Sequence, residues 1–313
     1  DGVHYIKIAQ RGYEQYEQAF FPLYPFLIRF LKPLLLNNTL ITGLVISNVF
    51  FIFGIWIFWK LIENWFTPKN SHGIYLGKLK IGIWPIIILL AFPSSFFFGA
   101  VYTEGLFFFL VIASLYFLEK KQYFLAGLFG FFASLTRFIG IFLIIPFIIN
   151  LFKKQVKSHR YIKLNNVIGY LAFLFPLLGF FTYGLYLWKT TGDPLFFLNS
   201  QPVFGAHRST SIILLPQVYF RYIKIFFTAQ FDFRYFISLF EFSIFTFVFF
   251  ILIYQLFFLL RKPGSHGLLG LNLFSLVNLL LPTFTGTFSS IPRYTLLSIS
   301  LFIASRLFWK YAL

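Results

Sequence analysis

The sequence predicts an all-α, polytopic transmembrane helical bundle, and three observations lead to that prediction. Hydrophobic residues make up 59% of the 313 residues and charged residues only 11%, whereas a soluble domain averages about 25% charged residues. The chain has too few polar side chains to cover a surface in water, which excludes a soluble globular domain, a disordered chain and a coiled coil. The apolar stretches are continuous and do not alternate with polar residues, which excludes a transmembrane β-barrel.

Nine stretches of the chain are predicted to span the membrane. A spanning helix needs about 20 mostly apolar residues, although shorter helices are tolerated inside a bundle. The predicted spans are residues 40–60, 81–98, 104–118, 123–136, 139–152, 166–188, 236–260, 267–282 and 291–308. The fourth and fifth are short, and the alternative for them is a re-entrant pair that meets at Arg137. Residues 19–36 and 212–230 are interrupted by Pro, Arg and Lys, which predicts helices lying in the membrane interface.

The distribution of basic residues predicts the topology of this single domain, residues 1–313. If Asp1 is outside and the spans alternate, 15 of the 26 Lys and Arg residues fall on one side, with only Glu63 and Glu119 as acidic residues there. Cytoplasmic loops collect Lys and Arg, so that side is cytoplasmic, and the net charge of +17 needs no nucleic-acid partner. We expect a further helix upstream of Asp1, about ten in all, with a cleaved signal peptide as the alternative.

The first outer segment contains a candidate acid–base pair. Asp1 and His4 are three residues apart, so one turn of helix places both on the same face. A carboxylate beside an imidazole suits a general base or two ligands of a divalent ion. The alternative is that Asp1 caps the helix and His4 only packs at the interface.

A second outer carboxylate, Glu104, lies in an apolar neighbourhood between two spans. Ionisable groups at membrane depth are costly and are functional candidates by default. The alternative is a carboxylate stabilised by the dipole at a helix N-terminus. With no cysteine in the chain, disulfides and Cys-ligated metals are excluded.

The predicted topology places Arg137 and Arg293 at outer helix ends, while Arg221 and Lys224 lie one turn apart on the predicted interfacial helix. An arginine there can bind a phosphate in a bidentate manner, or it can extend its charged end to the interface. A further outer loop contains Asp193, in a Gly-Asp-Pro sequence typical of turns, followed by Gln201. This loop has the mixed polar and apolar character of a segment that covers a site.

These outer segments together resemble the PIG-V family of mannosyltransferases, within the GT-C superfamily of polytopic glycosyltransferases. The resemblance spans nearly the whole chain. The motifs are Asp1-x-x-His4-Tyr5 with Gly12-Tyr13, Phe21-Pro22-Leu23-Tyr24-Pro25, Pro93-Ser94 with Tyr102-Thr103-Glu104, Thr136-Arg137, Gly192-Asp193-Pro194 and Arg293-Tyr294. In the family a Trp precedes the Asp, and this chain begins at the Asp.

The resemblance implies a GT-C-like bundle and an inverting transferase. Because basic residues can neutralise the phosphate, we expect no metal or other cofactor. Such an enzyme moves a hexose, typically mannose, from a polyprenyl-phosphate donor to an extracytoplasmic glycolipid, glycan or protein. Asp1 would be the general base, and Arg137 and Arg293, with Arg221 and Lys224, would stabilise the departing lipid phosphate. The composition favours a bacterial or archaeal cell membrane.

The resemblance also assigns roles in binding. His4 and Glu104 would orient the acceptor or hold a divalent ion, and aromatic residues such as Phe20 and Phe21 would guide the isoprenoid tail. The other predicted substrate-binding residues are Tyr5, Asp193, Gln201 and Tyr294. Two alternatives stay open, a transporter or flippase and a non-catalytic protein that binds lipid-linked sugars.

Overall fold

A computed structural model describes residues 1–66, 75–157, 171–204, 209, 211–262 and 265–309. No β-strand occurs within these ranges, so the all-α prediction is confirmed for them. The first helices are α1 (Gly2–Arg11), α2 (Leu23–Leu31), α3 (Thr39–Phe66), α4 (Tyr75–Ala91), α5 (Glu104–Glu119), α6 (Tyr123–Thr136) and α7 (Ile144–Lys157). They are followed by α8 (Phe175–Thr191), α9 (Phe196–Asn199), α10 (Leu215–Thr228), α11 (Phe233–Arg261), α12 (His266–Leu280), α13 (Ile291–Thr295) and α14 (Ser300–Trp309).

In the part of the chain that the structure describes, three helical segments are long and apolar enough to cross a membrane: α3, α11, and α12 with its 3-10 continuation to Thr285. Only 17% of the most apolar part of α11 is buried against the rest of the protein. Its exposed side carries large apolar residues such as Phe240, Phe247 and Phe257. An apolar surface of this kind is stable in contact with lipid, and the chain is a membrane protein.

The other predicted spans coincide with shorter helices. The predicted spans 123–136 and 139–152 match the apolar segments Tyr123–Thr136 and Phe138–Asn150. The stretches 19–36 and 212–230 contain α2 and α10. The predicted total of nine spans, and the interfacial position of α2 and α10, stay predictions. Part of the predicted span 166–188, and part of the basic loop 153–165, lie outside the described residues.

The last predicted span, 291–308, is broken into α13 and α14. Residues 296–299 between them are not α-helical, and polar side chains take up the backbone groups that a continuous helix would pair. The Ser300 amide donates to Ser275 Oγ at 3.1 Å, and Asn278 Nδ2 donates to the Tyr294 carbonyl at 2.8 Å. Because Ser275 and Asn278 lie on α12, packing between helices makes the break possible.

Backbone contact between α3 and α5 sets the position of Glu104. α5 is buried on nearly all sides, and Gly105 is next to Glu104 in its first turn. A Cβ at Gly105 would lie 2.4 Å from the Ser47 carbonyl oxygen on α3 and 2.9 Å from that of Phe98. Only glycine permits this approach.

We therefore expect the substitution Gly105→Ala to destabilise the protein by about 1–3 kcal/mol, because the added methyl group overpacks a backbone contact. The measurement is the midpoint of thermal unfolding in detergent. The matched control is Gly184→Ala in α8, where an added Cβ would meet only the Pro194 carbonyl oxygen at 3.7 Å. Alanine there is expected to be neutral or to stabilise the helix by up to about 1 kcal/mol. Equal shifts for the two variants would contradict the close approach of α3 and α5.

Candidate active site

A cavity of about 450 Å³ is lined by residues from segments distant in the sequence. Asp1 and Tyr5 come from α1, Arg137 from the end of α6, and Arg293 and Tyr294 from α13. The rest of the lining comes largely from residues 197–204 and from the loop that precedes α13. The volume is within the range of small-molecule sites, roughly 300–1,000 Å³.

Four charged side chains form a chain of ion pairs at one wall of this cavity. Arg137 Nη1 donates to Glu104 Oε1 at 2.8 Å, and Arg293 Nε donates to the same oxygen. Arg293 Nη1 also donates to Asp1 Oδ2. Two carboxylates and two guanidinium groups therefore meet in the order Asp1, Arg293, Glu104, Arg137.

Burial increases inward along this chain of ion pairs. The Asp1 side chain is 37% exposed, those of Arg293 and Arg137 are 13% and 12% exposed, and that of Glu104 is fully buried. A buried carboxylate is tolerated when it is paired and hydrogen-bonded. Glu104 Oε1 receives both guanidinium groups, while its Oε2 atom has no hydrogen-bond partner among the described residues.

Local structure directs these side chains toward one another. Asp1 is the N-cap residue of α1 but makes no side-chain capping bond, so its carboxylate is free to pair with Arg293. Arg137 follows the last residue of α6 in an extended conformation. Arg293 is in the first turn of α13, which begins at Ile291-Pro292. Both arginines therefore lie at helix ends.

Aromatic rings make cation–π contacts with both guanidinium groups. The Arg293 guanidinium carbon lies 4.7 Å from the ring centre of Tyr102 and 5.6 Å from that of Phe97. Arg137 lies 5.2 Å from the ring of Tyr294. Cation–π contacts of this kind keep an arginine in place where water is scarce.

Tyr5 is a buried residue of α1 that lines the cavity. Burial raises the pKa of its hydroxyl to about 12. The hydroxyl therefore stays protonated at neutral pH, and Tyr5 can donate a hydrogen bond.

His4 is not brought to this cluster, although it is one helical turn from Asp1. Its ring stacks on Phe20 at 4.9 Å and its Nδ1 lies 3.5 Å from Glu17 Oε1. Spacing along a helix placed the two residues on one face but did not identify what that face contacts. Among the described residues no group of three or more His, Asp or Glu side chains could hold a metal ion. The absence of a metal stays a prediction.

Three other predicted site residues also lie away from the cluster. The Asp193 carboxylate accepts the Leu195 amide at 2.8 Å and Asn199 Nδ2 at 2.6 Å, as turn residues do. Arg221 is exposed and donates to the Gly286 carbonyl at 3.2 Å, and Lys224 is exposed on the same helix. None of the three lines the cavity. Arg221 and Lys224 lie within α10, and a role in binding for these three residues stays a prediction.

Gln201 and Tyr294 line the cavity as predicted, and sequence reasoning missed two amides that join them there. Asn199 and Asn278 both line the cavity, and Asn278 also holds the Tyr294 carbonyl. A polar amide inside the apolar run of α12 was the signal available for Asn278. Asn199 offered no signal, because it lies in a loop where asparagine is common.

The comparison with protein families identifies the family of the chain. The family model described as Mannosyltransferase (PIG-V) matches residues 1–190. The match covers more than half of the chain and includes Asp1, Glu104 and Arg137, while Arg293 lies beyond it. No curated protein and no solved structure matches the chain. The predicted family is therefore confirmed, and this membrane protein belongs to the PIG-V mannosyltransferases, which are glycosyltransferases.

Proposed function

We propose that the protein transfers mannose from a polyprenyl-phosphate donor to an acceptor hydroxyl on the extracytoplasmic side, with inversion and with Asp1 as the general base. The observation that carries the proposal is the convergence of Asp1, Arg293 and Arg137 at one wall of the cavity. A carboxylate and two arginines are the groups that deprotonation of an alcohol and departure of a phosphate require.

The two arginines supply positive charge where the leaving phosphate gains negative charge. Glu104 holds both guanidinium groups before any substrate arrives. Donors fixed in advance stabilise a developing charge without reorganising during the reaction. Their planar groups also match phosphate oxygens in a bidentate manner.

Because Asp1 pairs with Arg293, binding of the donor phosphate to Arg293 would free the Asp1 carboxylate to act as the base. Asp1 is the more exposed partner, so it is the one that can move away when a phosphate takes up the Arg293 guanidinium. The acceptor oxygen then attacks the anomeric carbon, its proton passes to the Asp1 carboxylate, and the bond from carbon to the phosphate oxygen breaks. That bond leaves its electron pair on the phosphate, and attack from the opposite face inverts the configuration.

The remaining cavity wall offers complementary surfaces for the two substrates. Phe20, Phe21, Phe138 and Phe197 form an apolar side suited to the isoprenoid tail. Asn199, Gln201 and Ser289 are neutral polar groups suited to sugar hydroxyls. The proposed acceptor is a glycolipid, a glycan or a protein.

The test uses the full-length protein with radiolabelled mannosyl-phosphoryl-polyprenol and a lipid extract from its host. We expect label to move to a new lipid or polymer, and the anomeric configuration of the product to be opposite to that of the donor by NMR. A product with retained configuration would contradict the single displacement. Saturable donor binding without transfer would favour a carrier-binding or transport protein instead.

The substitution Arg293→Gln is expected to raise the donor KM by about 10- to 100-fold, because a charged hydrogen-bond donor to the phosphate is lost. The control is Arg11→Gln, which removes an exposed arginine paired with Glu14 on the surface of α1. That change is expected to leave the donor KM as it is. An unchanged donor KM in Arg293→Gln would remove Arg293 from phosphate binding.

A further inference from the structure

Another carboxylate, that of the partly buried Glu241, lies on α11 apart from the charged cluster. Its Oε1 accepts the Ser290 amide at 2.9 Å and its Oε2 accepts the Tyr222 hydroxyl at 3.3 Å. No ion pair among the described residues includes Glu241. An acidic residue on an apolar, lipid-facing helix is costly, and this one makes its hydrogen bonds to the loop before α13.

Tyr222 on α10 completes the same hydrogen-bond network. Its hydroxyl accepts the Phe288 amide at 3.0 Å and lies 3.1 Å from Thr287 Oγ1. Burial raises the pKa of Tyr222 to about 12, so the hydroxyl keeps its single proton, and this proton is directed to Glu241. Glu241 and Tyr222 therefore bind two backbone amides of the loop that lines the cavity.

Ser290 connects this network directly to Arg293. Its backbone is left-handed, with φ at 66°, which is uncommon for a residue other than glycine and needs support from its surroundings. Its amide is held by Glu241, and its carbonyl accepts the Arg293 amide at 3.0 Å and the Tyr294 amide at 3.2 Å. The first turn of α13 is thus built on a residue that Glu241 fixes.

We propose that Glu241, acting with Tyr222, is a positioning residue that sets the place of Arg293 in the cavity. This inference rests on the proposed function, in which Arg293 binds the donor phosphate. Glu241 itself touches neither the substrate nor the other charged residues of the cluster.

The experiment measures equilibrium binding of a polyprenyl phosphate to the purified full-length protein in lipid nanodiscs. Glu241→Gln replaces one of the two carboxylate oxygens by an amide NH₂, so the Ser290 amide or the Tyr222 hydroxyl loses its acceptor. We expect roughly ten-fold weaker binding. The double variant Glu241→Gln/Arg293→Gln should bind no more weakly than Arg293→Gln, because Glu241 acts only through Arg293.

A matched pair of tyrosine variants tests the same idea without changing a charge. Tyr222→Phe removes one hydroxyl of the network and is expected to weaken binding in the same direction. Tyr219→Phe on the same helix removes a hydroxyl that pairs with Thr246, 3.0 Å away, and is expected to bind as the unchanged protein does. If Glu241→Gln does not fold, this pair keeps the test complete.

The outcomes separate the two proposals. Additive losses in the double variant, or equal binding by Tyr222→Phe and Tyr219→Phe, would overturn the positioning role of Glu241 while Arg293 kept its own. Unchanged binding by Arg293→Gln would overturn the proposed function of Arg293 at the phosphate, and the inference about Glu241 with it.

Discussion

Replacing Asp1 by asparagine is expected to slow mannose transfer by about 10²- to 10⁴-fold, the usual contribution of a positioned general base. Asparagine has nearly the same size and can still accept a hydrogen bond from Arg293, so the fold is expected to persist. What is lost is the ability to take the proton from the acceptor hydroxyl. The measurement is the rate of label transfer from mannosyl-phosphoryl-polyprenol at saturating donor.

Binding of the donor distinguishes a lost base from a disturbed site. In Asp1→Asn the Arg293 guanidinium loses a charged partner, so the donor phosphate has less to displace, and binding is expected to be unchanged or tighter. The matched control is Asp232→Asn, which changes a surface N-cap whose carboxylate accepts the Tyr235 amide at 2.8 Å. Asparagine serves equally well there. Full turnover by Asp1→Asn would overturn the assignment of the base.

The substitution Glu104→Gln is expected to lower the free energy of unfolding by about 3–5 kcal/mol. The side chain is fully buried and its Oε1 receives both Arg137 and Arg293. Removing its charge leaves two largely buried guanidinium groups with only Asp1 to compensate them. The measurement is thermal or denaturant unfolding in detergent, with the loss of transfer activity as a second readout.

A second variant shows whether the lost stability comes from uncompensated charge. Removing Arg137 as well, in Glu104→Gln/Arg137→Gln, should recover part of the stability, because an unpaired buried charge is removed. The control is Glu14→Gln, whose side chain is 52% exposed and pairs with Arg11. An exposed pair of this kind contributes only about 0.2–1 kcal/mol. Equal destabilisation by Glu14→Gln and Glu104→Gln would contradict the buried network.

The helix boundaries that the sequence predicted best are those marked by local signals. The span predicted at 104–118 is α5 (Glu104–Glu119), and the next, at 123–136, is α6. Charged residues and a turn at Lys121, where φ is 61°, separate these two helices, so composition alone locates the boundary. The break at 296–299 has no such signal, since it depends on Ser275 and Asn278 of another helix.

For the candidate site, too, the sequence indicated individual residues but not the contacts between them. Asp1, Glu104, Arg137 and Arg293 could be selected by charge in an apolar context, and the structure brings them together. The contacts between them join residues 33, 189 and 292 positions apart, so no spacing rule could predict which pairs form.

Choosing site residues by residue type was less successful for side chains that have another structural role. His4 packs on an aromatic ring, and Asp193 makes the hydrogen bonds of a turn. Glu241 was not selected at all, although it is an acid inside an apolar run. Its partners are one backbone amide and one hydroxyl brought by other segments, and a sequence does not display such partners.

Because the last predicted helix is broken, membrane insertion of the C-terminal part depends on the helix before it, α12. Ser300–Trp309 is ten residues long, and a helix of that length reaches only about half of the hydrocarbon thickness. At the break the Ser300 amide donates to Ser275 Oγ of α12, and the Ser298 hydroxyl donates to the Ser275 carbonyl. In lipid these two groups would be unsatisfied until α12 is beside them. Insertion of the C-terminal part is therefore expected to proceed as a helical hairpin, with α12 acting as the template on which the arginine-bearing turn is assembled.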